Sequence, residues 1–287
     1  MRLYTLGCSF TNYAWPTWSD ILGLEYKTYE NWGYPGLGNR AIAERVCNLH
    51  ALETLTPSDT VIIQWTSHLR HDWHTNDQRH TGQQGVGWKT SGSIFNYINE
   101  EIYDEKWIRT FFDEHSYMMH TLNSILLTKQ FLESLGVNYY MTSMGYIHKM
   151  NSDYPSNDGH GEIVTNDIDI WKQIPTLKIY KDKIFDCNRW LPPVGSFAWT
   201  HQDSPYKFVN KQGKTTVDRH PTMQQHSDYV NEVVKPALGL SQNVHPKAQN
   251  WIDTVYRIYN TTHGNFDYFV DSINKELDGW GNFYRGF

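Results

Sequence analysis

The chain has 287 residues, 39% of them hydrophobic and 15% aromatic, and is long enough to bury a core without a disulfide or metal staple. A net charge of -6, from 25 basic and 31 acidic residues, argues against a nucleic-acid partner, which calls for a basic surface. No apolar run approaches the ~20 residues of a membrane span, and the widely separated Cys8, Cys47 and Cys187 fit a reducing compartment better than a disulfide framework.

In chain order, residues 2–7 are short, apolar and aromatic, end at a glycine, and predict a buried strand. A weaker second strand is expected near residues 26–31, followed by a loop over 33–38 rich in glycine. Asn39 is expected to cap a helix, because Ile42, Val46 and Leu49 follow as an amphipathic stripe. Residues 60–65 are nearly all apolar and read as a strand covered on both faces. Residues 68–92 are polar and rich in His and Gly, and read as a surface excursion. A helix is predicted over 113–135 with Gly136 as its stop, then a strand over 137–144. Residues 151–167 read as a loop, and 183–186 as a last short strand. Pro221 is expected to open a helix that reaches residue 238. The alternation of strands and helices predicts an α/β fold with a parallel sheet covered on both faces. Residues 1–239 form the expected main domain, and 240–287 a helical C-terminal extension that packs on it or mediates contacts.

Ser9 lies just past the first strand, and ligands bind at that edge of open α/β sheets. Gly7 permits a tight turn there. Thr11 replaces the final glycine of the nucleophile elbow, so that motif is absent. Ser9 is therefore open to two readings, a helix cap and a nucleophile. Asp218 and His220 sit two residues apart ahead of a helix, and read either as an exposed turn or as a general base with its carboxylate.

Gly7-Cys8-Ser9-Phe10, the Gly-rich turn ending in Asn39, and Asp218-Arg219-His220-Pro221 together resemble the SGNH (GDSL-like) hydrolase superfamily, in a version similar to bacteriophage proteins. The resemblance covers residues 1–238. It implies a flavodoxin-like three-layer α/β/α sandwich and an acyl-ester hydrolase that needs no cofactor or metal. Ser9 would be the nucleophile, His220 the base and Asp218 its orienter. The family carries Asp-x-x-His, one residue longer than here, and a Gly-x-Asn-Asp block where this chain has Trp65-Thr66-Ser67-His68. The missing Asn normally donates to the oxyanion; Asn39, Thr66 and Ser67 carry donors that would replace it.

Ser9, the loop from Gly36 to Asn39, and Thr66-Ser67 all follow strands of a parallel sheet, so they share one edge. The backbone N–H groups of Ser9 and Gly36 would face a developing oxyanion, and Arg70 would steady an anionic or polar substrate. Ranked lower are a metal site from His68, His71 and His74 on a helical face, His226 as an alternative base, Cys8 as a nucleophile, and a sugar-stacking cleft from Trp15, Trp18, Trp65 or Trp73. The expected substrate is a small-molecule or carbohydrate ester, with deacetylation favoured. An acyltransferase and a structural or carbohydrate-binding protein are the rivals. The extension would carry any homo-oligomer or virion contact. The N-terminus shows no leader pattern, so a cytoplasmic protein, in an infected host cell or a virion, is expected.

Overall fold

The computed structural model describes residues 1–75, 87–93, 106, 110–111, 113–147, 175–185, 188–200, 205–210, 213–277 and 280. Its centre is a parallel four-stranded sheet of β1 (Arg2–Leu6), β2 (Thr28–Asn31), β3 (Thr60–Trp65) and β6 (Asn138–Ser143), in the order β2-β1-β3-β6. Successive side chains of a strand point to opposite faces, and each face here has its own core. Leu3 and Ile62 join one cluster, while Tyr4, Leu6, Val61 and Ile63 join the other. Each such aliphatic side chain, once fully buried, contributes about 1.5–3 kcal/mol.

On the second face lie α2 (Asn39–Glu53) and α3 (Glu114–Ser134). The predicted stripes Ile42, Val46, Leu49 and Met118, Leu122, Ile125, Leu132 are all buried there. Gly136, at φ +65°, follows the end of α3 as expected. The first face carries α1 (Trp18–Gly23), and, from the C-terminal part, α6 (Met223–Tyr229), a π turn (Val230–Val234), α7 (Lys235–Leu238), α8 (Pro246–Thr261) and α9 (Phe266–Glu276). Helices thus cover both faces in a three-layer α/β/α arrangement. The chain leaves β1 toward β2 and returns past β1 to β3, so the carboxyl ends of β1 and β3 flank a topological switch point.

Several elements differ from expectation. Residues 18–23 form α1, although all six are buried and offer no polar contrast to read. Arg70–Thr75 is strand β4, paired antiparallel with β5 (Gly87–Ser93), so His68, His71 and His74 do not share a helical face. Residues 178–184 are helix α4 (Lys178–Ile184) rather than leading into a strand; a short apolar run cannot be assigned by periodicity alone. The chain next to β6 is instead supplied by Trp190, bridged to Met141. α6 opens at Met223, two residues past Pro221, behind the cap Thr222, whose hydroxyl accepts from Gln225 N–H while the Gln225 side chain accepts from Thr222 N–H. Gly38, not Asn39, is the cap residue of α2. Between α4 and α6 lie α5 (Val194–Thr200) and the hairpin β7 (Lys207–Val209)–β8 (Thr215–Val217). The expected loop at 151–167 lies outside the described residues.

The C-terminal helices share the first-face core. Trp251, Val255, Ile258, Phe269 and Ile273 are buried in one cluster with Trp15, Trp18 and Tyr206. The hairpin is tied to them by Val209 N–H donating to Gly264 C=O at 2.7 Å and Lys207 N–H donating to the Tyr259 hydroxyl at 2.9 Å.

Candidate active site

Past β1 the chain closes a tight turn in which Cys8 C=O accepts Thr11 N–H at 2.9 Å and Asn12 N–H at 3.1 Å. Gly7 is required by close approach: a Cβ there would lie 2.2 Å from Thr11 Oγ1 and 2.9 Å from Gln64 Oε1. Gln64, on β3, braces the turn from below. Its Oε1 accepts the Thr11 hydroxyl at 3.0 Å and the Cys8 thiol at 3.5 Å, and its amide donates to Trp65 C=O at 2.8 Å. Cys8 is therefore a buried strut, while Ser9 sits on the turn at 7% exposure. The hydroxyl and the N–H of Ser9 have no hydrogen-bond partner among the described residues.

The loop after β2 is laced to this turn. Tyr34 N–H donates to Gly7 C=O at 3.0 Å, and the Asn12 amide donates to Gly33 C=O at 2.8 Å. Asn31 donates to Thr11 C=O at 2.8 Å and accepts Gly33 N–H at 2.9 Å. Beneath lies a buried carboxyl, Asp20, which accepts Thr17 N–H at 2.8 Å and the Tyr29 hydroxyl at 3.1 Å. Burial pushes its pKa up to about 6, against the pull of those donors. Gly36 adopts φ +84°, a left-handed conformation suited to glycine, and its N–H has no partner among the described residues.

Asn39 has a different place from the expected oxyanion donor. Its amide hydrogens go to Thr66 C=O at 2.9 Å and the Thr121 hydroxyl at 3.1 Å, and its Oδ1 accepts Thr66 N–H at 2.8 Å. With both hydrogens taken, Asn39 clamps the end of β3. The Thr66 hydroxyl is buried with no partner among the described residues, and Ser67 Oγ accepts Leu69 N–H at 3.1 Å. Arg70 donates to Leu37 C=O at 2.9 Å, so it fastens the Gly-rich loop. Asp72, unremarked as a structural group in the sequence, accepts Gly38 N–H at 2.7 Å and Ala41 N–H at 3.1 Å at the start of α2.

The loop between β8 and α6 brings Asp218 and His220 to the turn that carries Ser9. Asp218 Oδ1 accepts His220 Nδ1–H at 2.7 Å and His220 N–H at 2.9 Å. With Nδ1 as donor, Nε2 keeps its lone pair, as a general base requires. The shorter Asp-x-His spacing thus still pairs the two side chains. Asp218 Oδ2 accepts the Tyr13 hydroxyl at 2.8 Å. Burial acts to raise the Asp218 pKa, but the bonds from His220 and Tyr13 prevail and hold it below the usual carboxylate value. Burial and the Asp218 charge raise the Tyr13 pKa, which keeps its hydroxyl a donor.

Tyr13 also stacks on the His220 ring, with centroids 3.6 Å apart and planes 19° from parallel, while Phe10 meets the same ring edge-on at 5.3 Å. Ser9 and His220 are not hydrogen-bonded to each other, and His220 Nε2 has no partner among the described residues. Apo catalytic contacts often close only with substrate. Tyr13 is the site residue that sequence reading missed; its position four residues past Ser9 was the one available signal. Trp15 supports the same loop by donating Nε1–H to Pro221 C=O at 3.0 Å.

His226 is fully buried, and neither ring nitrogen has a partner among the described residues. Burial, then the nearby His220, push its pKa down to about 3, which removes it as a solvent-facing base. Trp15, Trp18 and Trp65 are fully buried in the two cores, so they line no sugar cleft. The Trp73 side chain lies outside the described residues.

No family model and no curated protein matches the sequence. Among solved structures the chain is similar to a member of the lipolytic protein G-D-S-L family from Veillonella parvula DSM 2008. Identity is 12%, the match covers 79% of this chain and 92% of that one, and the TM-score is 0.38. A likeness at that level carries no functional argument, so the functional reading rests on the geometry above.

Proposed function

We propose that the protein is a serine acyl-ester hydrolase whose nucleophile is Ser9, whose base is His220 and whose orienting carboxylate is Asp218. The observation that carries the reading is the Tyr13–Asp218–His220 assembly stacked against the Ser9 turn at the switch point. In the proposed mechanism His220 Nε2 takes the Ser9 proton as Oγ attacks the acyl carbon. The Ser9 and Gly36 N–H groups receive the oxyanion. The imidazolium, steadied by Asp218, then protonates the leaving alcohol, and His220 next activates water to release the acid. The substrate class proposed is an acetyl or other acyl ester of a carbohydrate.

A second reading, a binding protein on the same scaffold, is favoured by Asn39, whose donors are turned from any oxyanion to Thr66 and Thr121. Hydrolysis of p-nitrophenyl acetate and labelling by a neutral fluorophosphonate decide between them. The hydrolase reading expects both signals in the wild type and neither in folded Ser9→Ala; His220→Ala should lose hydrolysis. Absence of both signals in the wild type leaves the binding reading.

A further inference from the structure

The side chains of Asp218 and His220 end in broad, nearly two-fold torsions, so the backbone of their loop does not by itself fix the plane of the carboxylate or of the imidazole. Two bonds from His220 anchor Asp218 Oδ1, Nδ1–H at 2.7 Å and N–H at 2.9 Å. Oδ2 has one donor among the described residues, the Tyr13 hydroxyl at 2.8 Å. The same Tyr13 lays its ring on the imidazole, with centroids 3.6 Å apart and planes 19° from parallel. Phe10 adds an edge contact at 5.3 Å. The base is thus held at Nδ1 and on one face, which is more than an orienting carboxylate supplies alone.

Tyr13 is itself held. The Trp15 indole meets its ring at 4.6 Å and 88°, and Trp15 Nε1–H donates to Pro221 C=O at 3.0 Å, one residue past His220. Thr11 C=O, between Ser9 and Tyr13, accepts the Thr17 hydroxyl at 2.6 Å and the Asn31 amide at 2.8 Å. Ser9, Phe10, Tyr13 and Trp15 therefore belong to one pinned stretch of chain, and the last three grip the loop that carries the base. The stack also has an energetic consequence. A cation over the face of a tyrosine ring is attracted by its π-electrons. His220 becomes such a cation only on taking the Ser9 proton, so the attraction grows in the transition state rather than in the substrate complex.

We propose that Tyr13 is a positioning residue for the general base: its hydroxyl sets the Asp218 carboxylate, its ring sets the plane of His220, and the turn that carries the nucleophile thereby carries the clamp on its base. The catalytic half rests on the hydrolase reading; the clamp itself stands on the geometry. The test compares Tyr13→Phe, which keeps the ring and loses the hydroxyl, with Tyr13→Leu, which loses both. Circular dichroism checks the fold, and Tyr13→Met replaces Tyr13→Leu should that chain not fold.

In p-nitrophenyl acetate hydrolysis, kcat should fall about five- to tenfold in Tyr13→Phe. It should fall about 100-fold in Tyr13→Leu, where the imidazole is released from its plane. KM should stay within about twofold of wild type in both, because the interaction is made in the transition state. A Tyr13→Leu kcat within about threefold of wild type, or a loss that falls on KM, overturns the proposal. Equal losses in the two variants overturn the role of the ring, and an unchanged Tyr13→Phe that of the hydroxyl. Proton NMR of the full chain reads the clamp without turnover. The His220 Nδ1–H, identified by its absence from His220→Ala, should give a slowly exchanging downfield signal in wild type and Tyr13→Phe and lose it in Tyr13→Leu. A signal unchanged in Tyr13→Leu, or absent from wild type, overturns the clamp. Failure of the hydrolase reading shows up separately, as no hydrolysis and no fluorophosphonate labelling of Ser9 in the wild type, with the NMR signal still present.

Discussion

Replacing Asp218 by Asn tests the proposed triad with little change of shape. The carboxylate accepts His220 Nδ1–H at 2.7 Å, Tyr13 O–H at 2.8 Å and His220 N–H at 2.9 Å. An Asn can keep its oxygen on the two His220 donors and turn its amide toward the Tyr13 oxygen, which then accepts. Each bond falls from charge-assisted to neutral, losing about 0.5–1.5 kcal/mol. The easier desolvation of a neutral group offsets part of the total. A net loss of about 1–2 kcal/mol should lower the melting temperature by about 2–8 °C. Catalysis should suffer far more, because the imidazolium loses the carboxylate that steadies it; in a serine protease triad the same change, which there also traps the wrong imidazole tautomer, costs about 10,000-fold. The assay is p-nitrophenyl acetate hydrolysis beside circular dichroism and thermal melting. A folded Asp218→Asn protein within tenfold of wild-type kcat would refute the role assigned to Asp218.

Gly7→Ala should destabilise the fold by about 2–3 kcal/mol through overpacking, since the new methyl would meet Thr11 and Gln64; a melting temperature equal to wild type would contradict the close approach. Asn39→Ala should cost about 2–4 kcal/mol, because it strips Thr66 N–H and C=O of their partners in a buried place; chemical denaturation measures it, and a loss under 1 kcal/mol would count against the clamp. Asp20 binds its proton more tightly folded than unfolded, with a pKa of about 6 against 3.8. Its contribution is thus most favourable below the unfolded value and is lost as pH rises toward 6, by about 3 kcal/mol at most. Stability of Asp20→Asn relative to wild type should accordingly rise between pH 4 and pH 7; a flat difference would exclude the shift.

Strands β1 and β3 were legible as short apolar runs, whereas β2, a polar stretch of four residues, gave only a weak signal; α2, α3, α8 and α9 were legible because each shows one apolar stripe. What escaped lacks that contrast. Helix α1 is buried all round in six residues, and the β4–β5 hairpin is polar and shows no usable alternation. The order of Ser9, the Gly-rich loop and Thr66 along one sheet edge followed from the parallel topology alone. Partner choice within that edge did not. Nothing in composition distinguishes an Asn39 that donates to a ligand from one that holds Thr66, and Tyr13 meets Asp218 only across 205 residues of chain.

That last separation bears on how the molecule comes together. Asp218 N–H donates to Tyr206 C=O at 2.8 Å, and the Tyr206 ring packs on Tyr259 and Phe269. The Asp218–His220 loop is thus moored to α8 and α9, while Ser9 belongs to the first strand's turn. Closing such distant contacts is slow, because chain entropy is lost before the contact rewards it. The sheet and its α2–α3 face can form from closer neighbours. The two halves of the site are therefore joined by contacts among the most distant in sequence, and the second half is held in place by α8 and α9.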